Sequence, residues 1–198
     1  MFAFILTPIA LAVAANALPA LSTCQNPCNV LGAGSSSSLS YNFTLAALDV
    51  NSIDNSTGTA LALTTGPPGT SGEASTWWLS TGSGSEFPTF SLSSGILRPN
   101  PDAAESQLIT HDMSVLSGEA VEFMVMQASS RVTNAVNYCA VSDADNIATI
   151  ALNGDANSFS LCEMTGSVYM LVYKVSVTND GSYEYDTCVP KRVQAIQL

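Results

Sequence analysis

An all-β fold is what this sequence predicts: one antiparallel domain, a β-sandwich or a β-barrel, with disulfide staples and a flexible N-terminal tail. Three observations carry that expectation. No window of about a dozen residues places apolar side chains at a 3.6-residue period. Short runs instead alternate apolar and polar residues, and clusters of Asn, Asp, Gly and Pro separate them. Cysteines stand at or near the ends of such runs, in Tyr138-Cys139-Ala140-Val141, Phe159-Ser160-Leu161-Cys162 and Tyr185-Asp186-Thr187-Cys188. Sandwich and barrel bury strand faces alike, so the pattern leaves that choice open.

Taken in order, residues 1–17 read as a secretory signal: an apolar run from Phe2 to Ala15 ends on Ala15-Asn16-Ala17, a small-x-small cleavage rule. No Lys or Arg precedes the run, which departs from the usual pattern. A spanning helix needs about 20 apolar residues, so an anchor fits less well. No second apolar segment follows, so no membrane insertion is expected after signal cleavage. Residues 18–40, with Pro19, Pro27 and Gly32-Ala33-Gly34-Ser35-Ser36-Ser37-Ser38, have the composition of a flexible linker. The β-rich domain then covers residues 41–198. Tyr41-Asn42-Phe43-Thr44-Leu45, Phe90-Ser91-Leu92 and Val121-Glu122-Phe123-Met124-Val125-Met126 alternate as half-buried strands do. The run from Val168 to Val177 starts almost wholly apolar, so one end is expected to be buried on both faces. Turn clusters fall at Asp54–Gly58, Gly66–Gly69, Ser93–Gly95, Asn153–Asp155 and Asn179–Ser182. Asn153-Gly154 between Ile150 and Phe159 predicts a hairpin.

The 198 residues fit one domain, and an apolar content of 46% suffices for a core. Only 11% of residues are charged, and 16 acidic against 5 basic residues give a net charge of -11. That field repels phosphate backbones and anionic lipid, which argues against nucleic acid or a membrane surface as partner. An acidic extracellular medium would relieve the self-repulsion. All five cysteines, Cys24, Cys28, Cys139, Cys162 and Cys188, follow the signal and would meet an oxidising compartment. Five choices of the odd thiol and three connectivities of the other four leave fifteen arrangements open. Closing a loop of the length between Cys162 and Cys188 would stabilise by roughly 3 kcal/mol in the chain-entropy model.

Candidate chemistry is sparse. Cys24-Gln25-Asn26-Pro27-Cys28 has one intervening residue too many for a zinc knuckle, and His111 is the only histidine, so neither a metal nor a cofactor is expected. A Ser/His/Asp triad would have to use His111, but no G-x-S-x-G elbow is present. Glu119 and Glu122 are the nearest carboxylate pair for glycoside hydrolysis, yet three residues apart on a strand they would face oppositely. Asp143-Ala144-Asp145-Asn146 lacks the glycine and fifth ligand of a calcium loop and reads as a turn. Trp77-Trp78 is the one ligand-like feature: on a strand one indole fills the core and the other is left to stack on a sugar. Asn42-Phe43-Thr44 and Asn55-Ser56-Thr57 are N-glycosylation sequons.

Phe43–Leu48, Phe87–Leu92 with Gly95-Ile96-Leu97, Tyr138–Val141, Asn153–Asp155 with Phe159–Cys162, and Tyr185–Cys188 together resemble a family of small secreted β-rich proteins of mushroom-forming (basidiomycete) fungi. The likeness runs from about Tyr41 to Ile196 and leaves Cys24 and Cys28 outside it. It implies secretion and an all-β fold, and no catalytic residue. The expected function is that of a secreted, non-catalytic extracellular or cell-wall protein, meeting a wall glycan or an extracellular protein. A lectin-like domain using Trp77 or Trp78 is the first alternative, and an acid-active hydrolase the second.

Overall fold

A computed structural model describes residues 26–52, 58–66, 74–84, 86–127, 133–145, 147–164 and 167–198. The signal-like segment, Cys24 and Asn55 lie outside them. Thirteen strands fall within the described residues: β1 (Ser35–Ser36), β2 (Phe43–Asp49), β3 (Thr59–Thr65), β4 (Ala74–Ser80), β5 (Thr89–Ser93), β6 (Ile96–Asn100), β7 (Leu108–Asp112), β8 (Glu122–Gln127), β9 (Tyr138–Ser142), β10 (Ala148–Leu152), β11 (Phe159–Glu163), β12 (Tyr169–Tyr173) and β13 (Val189–Gln197). The remaining regular structure among the described residues is two short 3-10 turns, Pro27–Leu31 and Tyr185–Thr187.

The open choice resolves to a barrel. Strands β13, β11, β12, β4, β3 and β2 pair antiparallel in that order, and β2 returns to β13 through seven residue pairs from Lys191↔Asp49 to Gln197↔Phe43. Closure removes sheet edges that would otherwise invite association. The seam between β4 and β12 is thin, with Met170↔Ser80 as its strand pair. Residues 118–121 wedge into it: the Val121 amide donates to the Leu171 carbonyl and the Leu79 amide donates to the Val121 carbonyl. Strands β1, β9 and β10 extend from one edge of β13, the β5–β6 hairpin from β2, and β7–β8 from β4.

Period-two burial explains the core. Phe43, Leu45 and Ala47 of β2, Leu61 and Leu63 of β3, Trp77 and Leu79 of β4, and Phe123 and Val125 of β8 all join one apolar cluster. Strand β12 is buried on both faces. Leu171 and Tyr173 enter the main core, while Met170 and Val172 pack outside it against Cys162 and Tyr183. The run expected to continue to Val177 stops at Tyr173, because Lys174 adopts φ 47 and its chain turns away. Residues 174–188 then fold back over the outer face, where the Tyr183 hydroxyl bonds both the amide and the carbonyl of Ser176.

Two expectations are corrected. Asn153 and Gly154 do make the tight turn, with φ 52 and 77 and the isolated bridge Leu152↔Asp155 across it, but β10 and β11 do not pair with each other. Beyond the turn they part and lie end to end along β13, β10 at Ala195 and Gln194, β11 at Lys191, Pro190 and Val189. The nine-residue β13 is long enough to pair with both along one edge. The segment 18–40, expected as a flexible tail, is held from Asn26 onward. Cys28 is bridged to Cys139, and β1 pairs with β9 through Ser35↔Val141 and Ser36↔Ala140. The Gly95 amide reaches the Ser37 carbonyl, the Ser94 amide the Ser38 hydroxyl, and the Leu39 amide the Leu92 carbonyl. Gly34 is required there: its φ is 85, and a Cβ would sit 2.8 Å from the Ser142 carbonyl oxygen.

The second bridge joins Cys162 to Cys188, 26 residues on, against 111 for Cys28–Cys139. By count the remaining cysteine is Cys24. In the chain-entropy model these loops correspond to about 3.5 and about 4.8 kcal/mol. Replacing either pair by alanine is expected to lower stability by about 2–5 kcal/mol, read as a lower midpoint in guanidinium unfolding. If the Cys28→Ala/Cys139→Ala variant unfolds at the wild-type midpoint, backbone pairing alone holds residues 26–40.

Candidate functional site

The two adjacent tryptophans of β4 are separated by the strand. Trp77 is buried, its ring edge-on to Phe87 at 5.4 Å between centroids and its indole N–H donated to the Ser75 hydroxyl at 2.8 Å. It offers no face to a ligand. Trp78 is half-buried on the outer face, where its register partners are Thr64 of β3 and Glu122 of β8. Its indole hydrogen-bonds the Glu122 carboxylate, and the backbone of Gly66 covers part of the ring. Burial is the chief cause that raises the Glu122 pKa, with Glu119 and Asp180 adding to it and the Trp78 bond opposing it. The outer faces of β3, β4, β8 and β7 thus carry Thr64, Thr76, Trp78, Glu122, Met124 and His111, a shallow surface of one aromatic ring among polar groups.

His111 and Asp112, neighbours on β7, point to opposite faces, so they form no dyad. His111 sets Nδ1 3.1 Å from the Asn134 amide oxygen, and Nε2 is buried without a partner. It lines a cleft of about 310 Å³ with Arg98, Pro99, Pro101, Leu108, Ile109 and Thr110. The Thr110 hydroxyl is already donated to the Pro99 carbonyl. Asp112 is 2% exposed on the inner face, and neither carboxylate oxygen has a hydrogen-bond partner. Burial pushes its pKa up to about 7, against the pull of the Leu97 and Ala135 backbone and of Arg98. Its charge would be felt at the Tyr138 hydroxyl, also buried and unpartnered, whose own pKa burial raises first and Asp112 and Glu122 raise further. A carboxyl in such a site is cheapest when neutral.

The other sequence candidates sit apart. Glu119 is exposed and accepts the Leu116 amide at 2.7 Å, which makes it a turn brace. Asp143 closes the 143–147 turn through Oδ1, which accepts the amides of Asp145 and Ile147 at 2.9 Å each. Asn42 is exposed at the start of β2. Among the described residues no group of three His, Cys, Asp or Glu side chains is placed to hold a metal. None of their helices is long and apolar enough to cross a membrane, and the two disulfides fit an oxidising environment.

A second cleft was not legible in the sequence. It measures about 350 Å³ and lies on the outer side of β9, β10 and β13, lined by Leu31, Val141, Ser142, Asp143, Thr149, Ala156, Asn157 and Arg192. Its residues come from five separated stretches, so no local motif announces it.

Comparison with family models, with curated proteins and with solved structures found no significant match. The described residues still make one measurable demand. In the unfolded chain Asp112 titrates near 3.8 and in the fold near 7, so between those values the fold holds a proton that the unfolded chain has lost. Its contribution to stability is complete below about pH 4 and is lost as pH rises through about 7, by at most about 4 kcal/mol. Thermal unfolding across pH 4–8 should show that decline. Asp112→Asn should flatten it and raise the melting temperature at neutral pH; an unchanged profile would mean that the carboxyl finds a partner.

Proposed function

We propose that the protein is a secreted, non-catalytic interaction module of the extracellular space or cell wall. The observation that carries this reading is the separation of its acid–base groups. His111 and Asp112 face opposite sides of β7, Asp112 is sealed in the core, and Glu119 is engaged in a turn. The two carboxyls with raised pKa, Asp112 and Glu122, also fall on opposite sides of the β7–β8 sheet, since Asp112 pairs with Phe123 and Glu122 is the next residue. A hydrolase would need them across an open cleft. The signal-like residues 1–17, the two disulfides and the exposed sequon at Asn42 support export and N-glycosylation. A core carboxyl that prefers its proton supports acidic surroundings, and a wall of polysaccharide and protein supplies partners that need no basic surface.

One observation favours carbohydrate as the ligand. Trp78 keeps part of its ring at the surface, beside the carboxylate of Glu122 and the hydroxyls of Thr64 and Thr76. A flat ring next to hydrogen-bond acceptors matches the apolar face and hydroxyl rim of a pyranose. On a glycan array probed from pH 4 to 7 with deglycosylated protein, saturable binding is expected. Absence of binding at every pH would remove the carbohydrate reading and leave a protein partner, sought by crosslinking in cell-wall extracts.

A further inference from the structure

We infer that the cleft between the N-terminal 3-10 turn and the outer face of β9, β10 and β13 is a binding subsite for a neutral sugar unit. The inference rests on the carbohydrate reading and adds a second contact region to the one at Trp78. In the barrel order β4 and β13 stand three strands apart, so the cleft and the Trp78 face lie on opposite sides.

Its floor follows from register. Val141 pairs with Thr149, and Arg192 lies on the outward face of β13, since Val193 and Ala195 point into the core. Leu31 forms one wall, Ala156 and Asn157 a second, and the Ser142–Asp143 corner a third. The wall at Leu31 exists because Cys28 is bridged to Cys139, which brings the 3-10 turn onto Ala151 and Ala156. The clamp at Cys28 therefore builds the cleft as well as stapling the chain.

The polar groups suit hydroxyls. Asp143 commits Oδ1 to its turn, while Oδ2 takes no bond from a described residue. The Ser142 and Thr149 hydroxyls and the Asn157 amide likewise make no side-chain hydrogen bond within the described chain. Together they offer a carboxylate acceptor, two hydroxyls that both donate and accept, and an amide that does both. Arg192, whose Nη2 donates to the Ser52 carbonyl, also lines the cleft, so one guanidinium and one carboxylate contribute to it in a chain of net charge -11. Balanced charge favours a neutral ligand over an anion. Leu31, Val141 and Ala156 supply an apolar surface for C–H groups, and about 350 Å³ lies within the size range of small-ligand sites.

The test is titration calorimetry of the full, deglycosylated protein with the neutral mono- and oligosaccharides that score on the array. Variants are Leu31→Trp, which fills the cleft, Asp143→Asn, which keeps the turn acceptor and changes Oδ2, and Trp78→Ala. Melting temperature and amide spectra check that each is folded. Leu31→Trp is expected to abolish binding at the cleft and Asp143→Asn to weaken it about tenfold, as for one lost charged hydrogen bond, while Trp78→Ala reports separately on the platform on the opposite side. Binding lost in Trp78→Ala but intact in folded Leu31→Trp and Asp143→Asn would overturn the cleft and keep the carbohydrate reading. No saccharide binding by the wild type would overturn both.

Discussion

The ladder between β2 and β13 is the constraint on which the rest of the molecule depends. Seven residue pairs join the first long strand of the domain to the last, and without them the six barrel strands would form an open sheet. Because side chains alternate, a slip of one residue would carry Phe43, Leu45, Ala47, Val193 and Ala195 out of the core. That cost fixes the register. With β13 so placed, its second edge receives β10 and β11 in turn, and β2 starts the flank that leads to β5 and β6. Closing contacts this distant in sequence is slow.

The disulfides act where the apolar core is least able to hold the chain. Cys28–Cys139 ties down a serine- and glycine-rich stretch whose side chains bury little surface, and Cys162–Cys188 fixes residues 174–188 over Met170 and Val172. Each also shapes a surface. The first creates the cleft wall at Leu31, and the second holds Tyr183 against the cluster on which Trp78 rests. Stability and surface shape share the same covalent links, so an oxidising medium serves both.

Asp112 sets the electrostatic tone in the opposite direction. A carboxyl without partners inside an apolar core is unfavourable when charged, and the surface carries an excess of acidic groups as well. Protonation relieves both penalties at once. A local burial and a global charge imbalance thus both favour the protonated state.

Much of the fold was legible in the residues. The strands at Phe43, Phe90, Val121, Phe159 and Tyr169, the turns at Ser93–Gly95 and Asn153–Asp155, and the opposite facing of Trp77 and Trp78 follow from period-two burial and turn chemistry, which act over a few residues. Five cysteines announced bridges but not partners, since pairing is a matter of distance in space. The sequence by itself determined the all-β class, the acidic surface and the turn positions, because each is local or compositional. Only the tertiary structure decided the barrel, the docking of residues 26–40, the parting of β10 and β11, the sealing of Asp112 and the cleft at Arg192. Each of these brings together residues tens to more than a hundred positions apart, and their free energy depends on neighbours that no local pattern names.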